Sequence, residues 1–365
     1  MRDFRTYARA EARLGEGLTV VHGANGAGKS NLLEALYYGC TARSPRTRNE
    51  RELVRFGAQA LRVEVGLADG AQAHRLTVGF GVPEGGGALV KRMTADGAPV
   101  ERLLDVEERP LLSVFMPDRL ELVKGPPSLR RAHLDQLVAA IWPLRAAARR
   151  EFSRVLAQRN ALLGRIRSGR ASSDTLHAWD RELAAAALLL RSHRAAAVEL
   201  LRGQFAARAS QLGCAGELSL IYRPRSRAED EQQFCAELQE RLAGDLERGF
   251  TGHGPHRDEL AIVRDARELR VYGSQGEQRL ALLALLLAER AVLTRERGQV
   301  PLMLLDDVMS ELDGERRELL ARELSADGQS VIATTDLSHV PGACDAAVTR
   351  LRISPGMVLQ EAIAA

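Results

Sequence analysis

The sequence predicts an α/β protein whose alternating strands and helices are interrupted by a long, purely helical stretch. Near the N-terminus "LTVVHG" (Leu18–Gly23) has the apolar, β-branched composition of a buried strand. Between about Ser128 and Leu212 strand signals vanish, and Ala, Leu, Arg and Glu recur at helical spacing. From Gly249 onward strands and helices alternate again, which is typical of a parallel sheet. The expected domains are residues 1–120, 121–230 and 231–365.

The first domain is predicted to be a mixed sheet around one helix. Its helix, Lys29–Cys40, presents four large side chains along one side. The segments "LRVEVGL" and "HRLTVGF" alternate apolar and polar residues, as half-buried strands do. The four side chains on the helix are Leu32, Leu33, Leu36 and Tyr37.

The helical stretch is predicted to contain two or three long helices that fold back on one another. Pro143 and the polar run Ser168–Asp174 break its periodicity. A strand, "ELSLIY", and a helix, Glu229–Leu246, follow. The last part is predicted as a Leu/Ala-rich helix after Ser274, the strand "PLMLLDDV", the helix "GERRELLARELS" and the strand "SVIATTD".

Composition indicates a globular protein of a reducing compartment. The 365 residues carry a net charge of only +3, and lysine occurs at just three positions, so arginine counts alone are poor evidence for DNA binding. The four cysteines form no C-x-x-C pair, which favours neither a zinc site nor a disulfide framework. No apolar run approaches the length of a membrane span, so we expect a cytoplasmic protein without a membrane partner.

The segment "GANGAGKS" matches the phosphate-binding pattern G-x-x-x-x-G-K-[ST] between a strand and a helix. Its backbone N–H groups would wrap a polyphosphate, Lys29 would reach the terminal phosphates, and the Ser30 hydroxyl would bind Mg²⁺. The alternative is a chance glycine-rich turn, which the strand–loop–helix setting disfavours. The predicted ATP-binding residues are Gly23, Ala24, Asn25, Gly26, Ala27, Gly28, Lys29, Ser30 and Asn31.

The segment "PLMLLDDVMSELD" (Pro301–Asp313) is an apolar strand that ends in two carboxylates. At the carboxyl end of a parallel strand, Asp306 would hold Mg²⁺ with Ser30, and Asp307 would orient or deprotonate the attacking water. The alternative is a strand-to-loop turn that happens to be acidic. With a phosphate-binding loop in the same chain, we predict Asp307, Lys29 and Asp306 as catalytic residues.

A second anion site is predicted far from the first, in the loop "SQGE" (Ser274–Glu277), hereafter the signature loop. Since the other residues already account for metal, phosphates and water, Ser274 and Gly276 would cap the γ-phosphate of a neighbouring molecule. The predicted ATP-binding residues of this loop are Ser274, Gly276 and Glu277. ATP would then lie between two head-to-tail copies, with two sites per symmetric dimer. The alternative is an ordinary capping box between Ser274 and Glu277, and both interpretations can hold together.

The order of these motifs resembles the ATP-binding-cassette superfamily, specifically the SMC-type heads of DNA repair ATPases, and most closely the RecF family. The resemblance rests on blocks that span nearly the whole chain: "DFRTY", "HGANGAGKSNLLEALYYG", "SPRT", "KGPPSLRRAHLD", "GPHRDEL", "YGSQGEQR", "LLDDVMSELD" and "ATTD". It implies an ATPase head with a P-loop core, whose N-terminal lobe is 1–120 and C-terminal lobe 231–365. Residues 121–230 would form an inserted α-helical arm.

The same resemblance implies a DNA repair and replication function. It implies an ATP-gated homodimer on gapped, single- or double-stranded DNA, slow DNA-stimulated ATP hydrolysis, and partners of the RecR and RecO mediator type that help to load recombinase. In transporter-type cassettes a glutamate stands at Asp307 and a histidine at Thr335, so slow hydrolysis is expected here. The alternatives are another SMC-like cassette ATPase or a transporter ATPase subunit. A long chromosome-organising arm would need sustained heptads, which this chain lacks.

Two arginine clusters are candidates for DNA contact. One lies on the arm and has an apolar stripe opposite its basic face; the other follows the P-loop helix and includes Arg46, which the resemblance places near nucleotide and DNA. The alternatives are a solvated arginine face and a charged loop balanced by Glu50 and Glu52. No stacking aromatics are interleaved with either cluster, which argues against a dedicated platform for single-stranded DNA. The arm candidates are Arg145, Arg149, Arg150 and Arg154.

The histidine-containing loop "GHGPHRDEL" is predicted to be structural. His253 and His256 lie three apart in a Gly/Pro turn with Asp258, without a third partner at metal-ligand spacing. We therefore expect no metal other than the Mg²⁺ of the nucleotide.

Overall fold

The computed structural model describes residues 1–69, 72–82 and 86–361. Its helices are α1 (Lys29–Thr41), α2 (Glu121–Lys124), α3 (Pro127–Ile141), α4 (Ala146–Arg167), α5 (Leu176–Gln211), α6 (Glu231–Glu240), α7 (Leu242–Arg248), α8 (Leu269–Tyr272), α9 (Gln275–Arg297) and α10 (Gly314–Ala326). Its strands are β1 (Arg2–Phe4), β2 (Tyr7–Arg9), β3 (Leu18–His22), β4 (Ala60–Asp69), β5 (Gln72–Gly81), β6 (Val90–Ala95), β7 (Ala98–Pro99), β8 (Leu112–Phe115), β9 (Leu218–Arg223), β10 (Glu259–Arg264), β11 (Arg267–Glu268), β12 (Leu302–Asp306), β13 (Ser330–Thr334), β14 (Thr349–Ser354) and β15 (Met357–Gln360).

The chain forms two compact units. Unit 1 comprises residues 1–118 and 299–365, and unit 2 comprises residues 119–298. The first junction lies close to the boundary expected at 120, whereas residues 231–298 cluster with the helical arm and not with the C-terminal strands. The physical reason is packing between elements that are distant in sequence, because α9 lies against both α5 and α3.

Unit 1 contains the predicted parallel sheet, with strand order β15-β14-β3-β13-β12-β8. All neighbouring pairs in it are parallel except the edge hairpin of β14 and β15. Val331 on β13 faces Thr19 on β3 and Leu304 on β12. The carboxyl ends of β3, β12 and β13 therefore meet at one edge of the sheet, where ligands bind in open α/β folds.

The second sheet of unit 1 is antiparallel, with order β2-β1-β4-β5-β6-β7. Helix α1 is shared between the cores of the two sheets: Leu33 belongs to the apolar cluster of the parallel sheet, and Tyr38 to that of the antiparallel sheet. Gly39 permits the close approach, since a Cβ there would lie 2.4 Å from a methyl carbon of Val65. The start of α1 is thereby fixed beside the edge of the parallel sheet.

Unit 2 is mainly helical, and its helices break where the sequence predicts. Helix α3 ends at Ile141, two residues before Pro143, and α4 and α5 are separated by the polar run after Arg167. Helix α4 packs along α5. Phe152 and Val155 share an apolar cluster with Leu183 on α5. One predicted helix, Glu229–Leu246, is instead two, α6 and α7, which meet at Arg241.

Arg159 lies in the middle of the arginine-rich helix α4, yet it is fully buried. Its guanidinium donates to Asp180 on α5 (2.7 Å), to Asp245 on α7 (3.0 Å) and to the hydroxyl of Thr251 (2.7 Å). This arginine is therefore part of the internal structure of unit 2, and the basic face of the arm lacks it.

Strands β9, β10 and β11 form a separate antiparallel sheet in unit 2, with β10 in the centre. Across the described ranges of both units, no helix has the length and apolar character needed to cross a membrane.

Candidate functional site

The glycine-rich loop of unit 1 connects β3 to α1 at the edge of the parallel sheet. Gly28 precedes the helix at φ +121°, and a Cβ there would lie 2.8 Å from the hydroxyl of Tyr7. That hydroxyl is buried and donates to the Gly28 carbonyl (3.1 Å). Only glycine fits this conformation beside the ring, so the loop's amides are held in a cradle at a helix N-terminus.

Lys29 folds back over the loop. Its ammonium group donates to the carbonyls of Gly23 (2.8 Å) and Ala24 (3.0 Å). Burial lowers the pKa of Lys29, and the negative charges of Asp307 and then Asp306 oppose that shift. The lysine is thus directed across the mouth of the loop and lies within electrostatic reach of both carboxylates.

Ser30 and Asp306 are brought together by the parallel sheet. Asp306 ends β12 and is buried, which raises its pKa. The hydrogen bond with Ser30 opposes this shift, as do the positive charges of Arg46 and Lys29. A hydroxyl beside a buried carboxylate at the first turn after a phosphate loop is the donor set that holds Mg²⁺ in P-loop proteins, so these residues fit that ion.

Asp307 has a strained backbone. Its φ is +54°, in the left-handed region, and its N–H donates to the Ala333 carbonyl (3.0 Å) on the neighbouring strand. Its own carbonyl accepts from the Ser310 hydroxyl (2.9 Å). The carboxylate oxygen Oδ1 is buried and has no hydrogen-bond partner among the described residues. A strained backbone and an unsatisfied buried acceptor are typical of residues at functional sites.

A buried glutamate that sequence reasoning missed lies on the first turns of α1. Glu34 is fully buried and accepts two bonds from Arg5 (both 2.9 Å), one from Ser44 (2.6 Å) and one from Arg46 (3.1 Å). Arg46 also donates to Asn31 (3.0 Å). Arg46 is therefore bound to the helix that follows the P-loop. The sequence signal that could have identified Glu34 is a charged residue among the apolar residues of that helix.

The signature loop lies in unit 2, where Ser274 caps α9. The Ser274 hydroxyl accepts from the Glu277 N–H (3.3 Å), and the Glu277 carboxylate accepts from the Ser274 N–H (2.8 Å), which forms a capping box. This bond from the Ser274 backbone lowers the pKa of Glu277. The cap leaves the serine's own proton to donate elsewhere. The loop therefore forms the capping box that was the alternative interpretation, and the Ser274 hydroxyl can still donate a hydrogen bond to a phosphate.

The surface around the signature loop is open. Ser274 and Gly276 are exposed, and nothing lies within 4 Å of a Cβ placed at Gly276. Val271 and Tyr272, just before the loop, are 61% and 64% exposed. An exposed aromatic and an apolar neighbour beside an anion-binding helix start are suited to contact with another molecule.

The candidate DNA-contacting arginines on the arm differ in their surroundings. Arg149 pairs with Asp135 (2.9 Å), and Arg154 donates twice to Glu151 (3.0 and 2.6 Å). The Arg145 guanidinium lies 3.9 Å from the centre of the Trp142 ring. Only Arg150 of the four is exposed and without an ion pair among the described residues. The basic face is thus weaker than the sequence count indicates.

The cluster after the P-loop helix differs from expectation in one respect. Phe56 directly follows Arg55, the last arginine of that cluster, and its side chain is 98% exposed. No aromatic lies between the arginines of the cluster, as expected, but sequence reasoning did not consider the aromatic residue directly after them.

The histidine-containing loop has a structural role in unit 2. His256 Nε2 lies 2.9 Å from the Thr251 carbonyl. Asp258 is buried and accepts from the hydroxyl of Tyr222, from the Arg225 N–H (2.8 Å) and from Arg194 (3.3 Å). Asp258 thereby connects the helical arm to the three-stranded sheet within unit 2.

Comparison with known proteins agrees with this architecture. The family model described as an AAA domain matches residues 1–93. The DNA replication and repair protein RecF of Herpetosiphon aurantiacus is 36% identical, and the alignment covers 98% of this chain and 97% of the relative. The protein of the same name from Myxococcus xanthus is 38% identical over 93% of this chain and 90% of its own.

Solved structures give the same result. The recombination mediator protein RecF-ATP in the RecFOR pathway superimposes with a TM-score of 0.85 at 28% identity, over 99% of this chain and 96% of that one. An Smc head domain from Pyrococcus furiosus, with an extended coiled coil and bound to the C-terminal domain of ScpA, superimposes with a TM-score of 0.56 at 16% identity, over 99% of this chain and 95% of that one, which shows the SMC-type head fold alone. Sequence identity above 30% over nearly the whole length shows that the chain belongs to the RecF family of DNA replication and repair proteins.

Proposed function

We propose that this protein is an ATP-gated DNA clamp. Two copies would bind ATP between them in a head-to-tail arrangement and close over gapped or junction DNA, and slow hydrolysis would reopen them. A nucleotide that binds the closed pair more tightly than the open one must shift the population toward closure. DNA affinity would therefore depend on the nucleotide state.

Unit 1 supplies half of the proposed ATP site. The loop amides of Gly23–Gly28 and the start of α1 would bind the phosphates, and Lys29 would exchange its bonds to the Gly23 and Ala24 carbonyls for bonds to the terminal phosphates. Ser30 and Asp306 would hold Mg²⁺, which neutralises phosphate charge when bound. A relative solved as RecF-ATP supports ATP as the nucleotide.

Asp307 is proposed to orient or deprotonate the attacking water. Its buried Oδ1 has no partner among the described residues, so it is ready to accept a hydrogen bond from that water. Aspartate is one methylene shorter than glutamate, and Thr335 carries no imidazole to assist. Both features favour slow hydrolysis, which suits a clamp that must remain on DNA longer than it takes to bind.

The observation that carries the proposal is the exposed signature loop. It presents a hydroxyl and a helix N-terminus to open space, and it is flanked by the exposed Val271 and Tyr272. These features fit a donor of hydrogen bonds to the γ-phosphate bound by a second copy, with the apolar pair as part of the interface. Exclusion of water by that second copy would complete the site.

DNA and protein partners belong to the same proposal. The arginines of segment 43–55 and Arg150 on the arm would bind phosphates of single- or double-stranded DNA without reading sequence. Because a relative acts as a recombination mediator in the RecFOR pathway, we include RecR- and RecO-type mediators and a recombinase as partners. The reducing cytoplasm indicated by the scattered cysteines is the proposed location.

A mixing experiment tests the shared site. Lys29→Ala removes one half of every site, and Ser274→Arg removes the other half, so each variant alone should show no ATP hydrolysis. In a mixture of the two, only the heterodimer contains an intact site, one of its two. Because neither variant should pair with itself, up to half of all sites should recover. If sedimentation shows ATP-dependent heterodimers but the mixture does not recover ATP hydrolysis, the trans arrangement is refuted.

A further inference from the structure

The side chain of Phe56 in unit 1 is 98% exposed and is held at the tip of a tight turn. The Ala58 N–H donates to the Arg55 carbonyl (2.9 Å), and Gly57 has φ +81°, as the third residue of a type II turn does. Phe56 occupies the second position of this turn. Its ring therefore projects into solvent through the geometry of the turn and not through looseness of the chain.

The turn is anchored to the antiparallel sheet on both sides. On one side the Arg55 N–H donates to the Asp3 carbonyl (2.9 Å), and its guanidinium donates to the Asp3 carboxylate (2.8 Å). On the other side the Val82 N–H donates to the Gln59 carbonyl (3.2 Å). An exposed aromatic on a rigid base loses little conformational freedom when it binds a flat partner.

The segment before Phe56 carries positive charge that its neighbours do not neutralise. Arg43, Arg48 and Arg51 are exposed and have no ion pair among the described residues. Of the nearby acids, Glu50 pairs with Lys91, which leaves Glu52 as the opposing charge within the segment. Residues 43–56 therefore present exposed arginines and one exposed aromatic ring.

The side chains exposed along this segment favour one of two kinds of partner. Within residues 1–69, all of which the structure describes, Phe56 is the one large hydrophobic side chain that is strongly exposed. Protein interfaces bury an aromatic within a broader apolar core, whereas single-stranded nucleic acid is bound by aromatic faces set among cationic groups. The chemistry of this segment fits a nucleobase with flanking phosphates.

We propose that Phe56 stacks on an unpaired base, while Arg43, Arg48 and Arg51 bind the adjoining phosphates. This inference rests on the proposed DNA-binding function and specifies the single-stranded side of a gap or junction as the ligand of segment 43–56. Base stacking tolerates any sequence, because every base presents a flat face. The site would therefore distinguish strand structure and not sequence.

The test compares three fluorescent DNAs, a single strand, a gapped duplex and a blunt duplex, each bound by the full-length protein with ATP. Phe56→Leu keeps an apolar side chain but removes the aromatic face, and we expect about tenfold weaker binding of the single strand and the gap. Binding of the blunt duplex should remain unchanged. Phe56→Trp keeps an aromatic face, so it should bind the single strand and the gap like the unmodified protein. It should also quench the fluorescence of 2-aminopurine placed in the single strand, whereas Phe56→Leu should not.

Two controls accompany these variants. Met357→Ala truncates another exposed apolar side chain of unit 1 (54% exposed) and should bind all three DNAs like the unmodified protein. ATP-dependent dimerisation, measured by sedimentation, should be the same for every variant. Normal dimerisation shows that each variant is folded.

Three results would overturn the inference. Equal binding of all DNAs by Phe56→Leu and by the unmodified protein would remove the stacking role and leave the clamp intact. If Phe56→Leu binds DNA normally but no longer binds a mediator protein, the ring belongs to a protein contact. Failure of the unmodified protein to bind any of the DNAs would remove the proposed DNA function itself.

Discussion

Replacement of Ser274 by aspartate separates the two roles of this residue. Aspartate is as good an N-cap as serine, so Ser274→Asp should keep the helix cap. It would also place a negative charge where a neighbouring molecule's γ-phosphate is proposed to bind. We therefore expect a folded protein of nearly normal stability that does not pair in ATP.

The magnitudes follow from the capping geometry. The bond from the Glu277 N–H to Ser274 is long, at 3.3 Å, and exposed, so its loss in Ser274→Ala should reduce the free energy of unfolding by about 1 kcal/mol or less. Ser274→Asp should stay within about 0.5 kcal/mol of the unmodified protein. A carboxylate about 4 Å from a phosphate charge costs about 4 kcal/mol at an effective dielectric constant near 20, or about a thousandfold in the dimerisation constant.

Urea denaturation measures the first quantity, and sedimentation with and without ATP measures the second. Ser274→Ala serves as the matched control, because it loses the cap without adding charge and should weaken dimerisation far less than Ser274→Asp. An ATP-dependent dimer of normal strength in Ser274→Asp would show that no phosphate binds at this helix start.

Other substitutions test the remaining parts of the site. Lys29→Ala should abolish ATP-dependent dimerisation, and sedimentation that still shows an ATP-induced dimer would refute the nucleotide assignment. Asp307→Gly should stabilise the protein by about 1 kcal/mol in urea denaturation, because glycine relieves the φ of +54°, yet it should eliminate phosphate release. Glu34→Gln should lower the free energy of unfolding by about 3 kcal/mol, because it leaves buried arginine bonds without their carboxylate; a loss below 1 kcal/mol would contradict this. Arg150→Ala should reduce the salt dependence of duplex binding by about one unit of slope, whereas Arg154→Ala, already paired with Glu151, should reduce it less.

The parts of the fold that sequence reasoning predicts are those set by local chemistry. The P-loop requires glycines at fixed positions between a strand and a helix, so it is recognisable within eight residues. The helix break near Pro143 follows from a proline, which cannot continue a helix, and the break after Arg167 follows from a polar run with glycine, which favours a loop. The parallel arrangement of β3, β12 and β13 follows from short apolar runs separated by helices.

What sequence reasoning missed depends on contacts between distant residues. Arg159 looks like its exposed neighbours on α4, and only Asp180 and Asp245 make it an internal residue. Glu34 is similar, since its arginine partners are Arg5 and Arg46, 29 and 12 residues away. The grouping of residues 231–298 with the arm depends on the packing of α9, which has no counterpart in composition.

The buried guanidinium of Arg159 fixes the register of the arm. It joins α4, α5 and α7 through two carboxylates that are themselves almost fully buried. A slide of one helix by a single turn would leave these charges unpaired, at a cost of several kcal/mol. The two helices therefore resist sliding past each other. A force applied at the loop between α4 and α5 would move both helices as one rigid unit.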